Sequence, residues 1–283
     1  MQWRLPEFAI LNNNAPIGVF DSGIGGLSIL KALRAAMPHE HFVYFADSAH
    51  NPYGEKSEAF VIDRSRAITQ QLVQAHGIKV LVVACNTATA LAIHLLRAEY
   101  PFLPIVGVEP ALKPAIAISK TRRIAVLATR GTLQSAKFAG LLQSLQDDAE
   151  FICMPCDGLA EQIERSASDH NATNLIAACA HPTLACGSFG TENSQVDTLV
   201  LGCTHYPLVL PYFRQAVGQA VHIVDNGQAV ARRTQQLLTN HKTAAIAKDS
   251  QANSQGSEAS LKLLSSADDL TLQRAVQHFL TEK

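Results

Sequence analysis

Short, β-branched apolar runs alternate along this chain with stretches of helical periodicity, and that alternation constrains the fold more than any other feature. The runs are Ile17 to Phe20, Phe42 to Phe45, Val80 to Val83, Ile105 to Val108, Ile124 to Leu127, Thr198 to Leu201 and Val221 to Val224. Continuous apolar runs of this length are strands buried on both faces, as in a parallel sheet covered by helices. Between them, Ser57 to His76 sets Val61, Ser65, Ile68, Leu72 and Ala75 on one helical stripe, and Gly77 follows where a C-terminal cap belongs. The pattern predicts a βαβ chain.

The runs also fall into two matching series. Ile17-Gly-Val-Phe-Asp-Ser-Gly-Ile-Gly-Gly-Leu27 is similar to Ile124-Ala-Val-Leu-Ala-Thr-Arg-Gly-Thr-Leu133, and Val80-Leu-Val-Val-Ala-Cys-Asn-Thr87 to Thr198-Leu-Val-Leu-Gly-Cys-Thr-His205. Each half thus carries one cysteine just past a strand. The simplest arrangement is two similar parallel-sheet α/β domains related by a pseudo-two-fold axis, with the carboxyl ends of both cysteine strands in the cleft between them. In open α/β sheets, ligands bind at that end.

The chain's 283 residues suffice for two such domains, each with a core. With 23 Lys+Arg against 24 Asp+Glu there is no charge excess to steer it toward nucleic acid or an anionic membrane. No run approaches the roughly 18 apolar residues of a membrane span, and Met1 to Asn14 lacks the core and cleavage pattern of a signal peptide. The expectation is a cytoplasmic protein acting on a small polar ligand, with its six cysteines reduced.

Reduced thiols serve as packing groups, metal ligands or acid–base groups. Taking the α-proton from an amino acid needs a base on one face, and inverting the centre needs an acid on the other. A thiolate and a thiol suit this work once a helix N-terminus or a nearby cation tunes them. Cys85 ends a strand and precedes the helical run Ala88 to Tyr100; Cys203 precedes Thr204-His205-Tyr206-Pro207, and His205 is placed as its proton partner. The plain alternative is a pair of packing thiols, and the matched contexts argue against it. No metal is expected, because Cys203-x-His205 lacks a second close ligand pair at zinc spacing. Cys153-Met-Pro-Cys156, before a helix over Gly158 to Ser166, has redox spacing but nothing thioredoxin-like around it, and is expected to be structural.

Asp21-Ser22-Gly23-Ile24-Gly25-Gly26 follows a strand and opens the helix Leu27 to Ala36, a turn fit to hold an anion such as a carboxylate. It is not a dinucleotide fingerprint, and Asp21 at its lip would repel phosphate. The loop Asp47 to Lys56 carries the turn Pro52-Tyr53-Gly54 at the same end of the sheet. Two segments fit less well. Asn240 to Ser260 has almost no large apolar residue and is expected to be a mobile loop before a last strand and helix over Leu261 to Leu280, while His170 to Gln195 shows no clear period and is assigned no chemistry.

Taken together, FDSGIGG, YFADSAHNPYGEKS, VVACNTATA, VGVEPALKPA, DTLVLGCTHYPL and VDNGQAVARR, in that order from Pro16 onward, resemble the aspartate/glutamate racemase superfamily, and within it the bacterial glutamate racemases. The resemblance implies interconversion of L- and D-glutamate without cofactor or metal, supplying D-glutamate for peptidoglycan. It matches Cys85 and Cys203 to the two acid–base cysteines, Asp21 to the acidic partner of the first and His205 to the partner of the second. It also places an auxiliary glutamate at Glu164, although Asp157 stands where the family has proline and Glu161 lies nearby. Substrate contacts carry over to Asp21, Ser22, Tyr53, Gly54, Asn86, Thr87, Thr204 and His205. The implied architecture is a homodimer whose first domain spans 1–111 and 226–283, with 112–225 inserted as the second. Departures are Asn226 where serine is usual, the long segment before Leu261 and the extra N-terminal residues. Two rivals stand: a racemase of another amino acid such as aspartate, since a methylene discriminates by only about 1–3 kcal/mol, and a two-lobed amino-acid-binding protein, which needs no cysteines.

Overall fold

A computed structural model of the chain describes residues 13–169, 172–240 and 259–281. Strands and helices alternate as the apolar runs predict. The strands are β1 Ile17–Asp21, β2 Phe42–Ala46, β3 Val80–Val83, β4 Ile105–Gly107, β5 Arg123–Ala128, β6 Glu150–Pro155, β7 Thr198–Leu201, β8 His222–Val224 and β9 Leu261–Ser265. The helices are α1 Leu27–Ala36, α2 Glu58–His76, α3 Asn86–Glu99, α4 Leu112–Ile118, α5 Arg130–Leu133, α6 Ala136–Gln143, α7 Leu159–Asp169, α8 Ala172–Leu184, α9 Leu210–Val217, α10 Gly227–Asn240 and α11 Asp269–Thr281.

All strand pairs are parallel, in two sheets ordered β4-β3-β1-β2-β9 and β6-β5-β7-β8. Read in opposite directions, the sheets share one connectivity: β1, β2, β3 and β4 correspond to β5, β6, β7 and β8. The matched sequence series are therefore topologically equivalent strands, and β9 extends only the first sheet. Helices cover both faces of each. Ile17, Val19, Val80 and Val82 face one core with α1, α10 and α11, whereas Phe20, Leu81 and Val83 face another with α2 and α3. The second sheet divides in the same way, Leu127, Leu199 and Leu201 on one side and Ile124, Val126 and Val200 on the other. Each such side chain contributes roughly 1.5–3 kcal/mol by leaving water, which fixes the strands and so the positions of their ends.

Local signals hold at α2. The Ser57 hydroxyl accepts from the Phe60 amide at 3.3 Å, and Gly77 ends the helix at φ +56°, the left-handed conformation glycine adopts without penalty. Two elements depart from the sequence reading. β6 lies at a sheet edge with its residues partly exposed; its apolar run, Phe151 to Met154, holds one β-branched residue, Ile152, and Pro155 is tolerated at the edge. α8 occupies the stretch read as aperiodic and has Pro182 inside it. The expected mobile loop over Asn240 to Ser260 falls almost wholly outside the described residues, as does most of Met1 to Asn14. Among the described residues, no helix is long and apolar enough to cross a membrane.

Candidate active site

Cys85 and Cys203 lie just past β3 and β7, the equivalent strands of the two sheets, and both are buried. Their surroundings differ. Cys85 is the N-cap of α3: its sulfur accepts from the Ala88 amide at 3.5 Å and lies 3.8 Å from the Ser22 hydroxyl. After Cys203 comes a 3₁₀ turn, Tyr206–Val209, with His205 at its N-cap. The Cys203 sulfur is 3.8 Å from His205 Nδ1, and His205 Nε2 is 2.7 Å from Glu164 Oε2. The two cysteines thus have different polar neighbours, a helix terminus with Ser22 on one side and a histidine–carboxylate pair on the other.

Asp21 ends β1 between them. Its Oδ2 accepts from the Gly26 amide at 2.5 Å and from the Thr204 hydroxyl at 3.2 Å, so the carboxylate reaches from the first lobe to the residue beside Cys203. Burial pushes its pKa up to about 6, with His205 and the Ser22 and Gly26 amides pulling the other way. Burial also drives the Cys85 thiol well above its ordinary value, and the charges of Asp21 and Cys203 add to the effect. For His205, burial opposes charging, but hydrogen bonds to Cys203 and Glu164 outweigh it and hold the imidazole protonated well above its usual range.

The anion expected in the glycine turn is the protein's own. The Ile24 amide donates to both oxygens of Glu164 at 3.1 Å, and Gly26 serves Asp21. Glycine is needed at the turn for close approach. A Cβ on Gly23 would sit 2.5 Å from Glu164 Oε1, and one on Gly25 would run into the His205 ring. Of the two candidate acids, Glu164 therefore stands at the site, whereas Glu161 pairs with Arg165 on the surface. Ser48 also donates to Glu164, at 3.3 Å.

Ser22, Asn86, Thr87 and Thr204 are buried around the cysteines. Tyr53 is buried too, but its hydroxyl donates to Asp47 at 2.5 Å, and Gly54 packs closely on Thr129 of the second lobe. Asp21 Oδ1 and both side-chain polar atoms of Asn86 are buried without a hydrogen-bond partner. Buried polar atoms are normally paired, so this set, an acceptor fit for an ammonium and a donor fit for a carboxylate, points to a polar zwitterionic ligand beside Cys85. Sequence reasoning passed over Thr129 and Thr132. Thr129 Oγ1 is 3.1 Å from Thr87 Oγ1 and 2.9 Å from Thr132 Oγ1, a hydroxyl chain from the second lobe into the site. Thr129 is the counterpart of Ser22 in the matched series, which was the available signal. Cys153 and Cys156 belong to different cores on either side of β6, and burial raises their thiols to about 11 and about 12, as packing groups require.

Comparison with known proteins agrees with this geometry. A family profile for Asp/Glu/hydantoin racemases matches residues 27–234. The glutamate racemase of Ectopseudomonas mendocina is 49% identical over 234 residues, 82% of this chain and 86% of the relative. Among solved structures, the glutamate racemase isoform RacE1 of Bacillus anthracis superposes with a TM-score of 0.80 at 25% identity, covering 96% of each chain. That of Escherichia coli, in complex with L-glutamate and the activator UDP-MurNAc-ala, gives 0.72 at 32% identity over 88% of this chain and 98% of its own. With equivalent sheets, a cysteine at the end of each and a family match over most of its length, the chain belongs to the Asp/Glu/hydantoin racemase family.

Proposed function

We propose that the protein interconverts L- and D-glutamate by two-base proton transfer, with Cys85 and Cys203 on opposite faces of the α-carbon. One sulfur removes the α-proton as the other delivers one, and the roles exchange in the reverse direction. The observation that carries this reading is the pair of buried cysteines at the ends of equivalent strands, beside polar atoms that lack partners. The names of the relatives supply the substrate. In the proposed assignment Asp21 holds the ammonium and serves Cys85. His205, backed by Glu164, shuttles the proton of Cys203. Ser22, the Tyr53–Gly54 backbone, Asn86, Thr87 and Thr204 hold the carboxylates, joined by Thr129 and Thr132. Charge developing on the substrate meets fixed N–H and O–H dipoles in a dry site, where such groups act most strongly. No cofactor enters the scheme.

The wider reading is a cytoplasmic homodimer supplying D-glutamate for peptidoglycan. Its domains divide at 111/112 and 225/226; Leu112 packs with the second sheet and Val230, Ala231, Leu272 and Ala275 with the first, which supports that division to within a residue, since Ala111 also packs with the second sheet. Incubation with L- or D-glutamate in deuterated water, without added cofactor, tests the central proposal. Deuterium should enter the α-position and the enantiomers should equilibrate. Aspartate in parallel separates the nearest rival, and an absence of α-exchange with any amino acid would leave only a binding protein.

A further inference from the structure

Asp47 closes β2, is fully buried, and is gripped by more donors than sheet termination requires. The Arg64 guanidinium on α2 reaches it with both prongs, Nε to Oδ2 at 2.9 Å and Nη2 to Oδ1 at 2.7 Å. Tyr53 donates to Oδ2 at 2.5 Å, and His50 Nδ1 is 2.9 Å from Oδ1. Burial alone would raise this carboxyl, yet hydrogen bonds from Arg64, Tyr53, Ser266 and His50 hold it below its ordinary range. The Asp47 amide donates to the carbonyl of Asp21 at 2.9 Å, tying the cluster to the strand end of the site.

The loop so braced, residues 48–54, touches the second lobe at two points. At one end, Ser48 donates to Glu164. At the other, Gly54 packs so tightly on Thr129 that a Cβ there would lie 2.7 Å from the Thr129 Cβ. A buried ion pair adds little net stability, because desolvation offsets its attraction. What a two-pronged guanidinium supplies is orientation, and a lysine cannot reproduce it.

We propose that Arg64 is a positioning residue for the reaction: through Asp47 it fixes the Ser48–Gly54 loop as the first lobe's lip of the cleft, and so governs substrate binding. The proposal rests on the racemase reading above. Arg64→Lys and Arg64→Ala are expected to raise KM for glutamate by about tenfold while kcat changes by less than about threefold, the signature of lost binding common to ground and transition states. Added guanidinium should restore KM in Arg64→Ala. Tyr53→Phe leaves the charge pair intact, so it should fold even where Arg64→Ala does not, and it should show a smaller shift in the same sense. Amide hydrogen exchange should accelerate over residues 48–54 of Arg64→Lys and stay unchanged in β3. An unchanged KM in a folded variant, or unchanged loop exchange, would overturn the proposal. A wild-type enzyme inert toward glutamate would refute the racemase reading instead, and loop exchange would still judge Arg64.

Discussion

Each cysteine is bound to its lobe by a different chemistry, and substitutions should expose the difference. Cys85→Ser and Cys203→Ser should each lower racemisation by about 10²-fold or more, the scale of a lost acid–base group; steady-state rates from both enantiomers check this, and full activity in either variant contradicts the two-base scheme. Asp21 makes a prediction of its own about stability. Its carboxyl titrates near 3.8 when unfolded and at about 6 when folded, so between those values the folded chain keeps a proton that the unfolded chain has released. Stability contributed at this position therefore falls as pH rises from about 4 to about 6 and stays lower above that, by up to about 3 kcal/mol. Asp21→Asn should remove that loss: denaturant melts should show the variant more stable than wild type at pH 7.5 and close to it near pH 4, while its racemisation falls. Greater stability with lower activity is the expected mark of a charge kept buried for function.

At the scale of elements, the glycine turn between β1 and α1 shows how backbone space makes a site. Gly25→Ala places a methyl against the His205 ring, so the turn and the second lobe cannot both keep their positions. The variant should fold, because the clash lies between lobes and not within a core, but its kcat/KM should fall by about tenfold or more; a circular-dichroism melt beside the kinetics separates the two effects. Such turns were legible in the sequence because they follow apolar runs that only a buried strand explains. Val80 to Val83 and Thr198 to Leu201 announce themselves, and the cysteine after each is found by counting. β6 announces itself less, since its run Phe151 to Met154 holds one β-branched residue and ends at Pro155, as suits an edge strand. Arg64 and Ser48 were also silent, because their partners Asp47 and Glu164 are reached only once the helices are packed. Glu164 was located by resemblance alone: 140 residues separate it from the Ile24 amide that it meets, and no local pattern spans that gap.

For the molecule as a whole, the decisive feature is that the chain passes between the sheets twice, outward after β4 and back after β8, before α10 and β9 rejoin the first core. Two such tethers should act as the pin of a door. The lobes are then expected to swing more readily than they twist or slide, and an opening of that kind should uncover both sulfurs together. Iodoacetamide should accordingly label Cys85 and Cys203 at rates that rise and fall in step, and saturating D-glutamate should shield both to a similar degree. Peptide mapping of partly labelled protein would show it, and one thiol reacting freely while its counterpart stays protected would mean that the door has a second way to open.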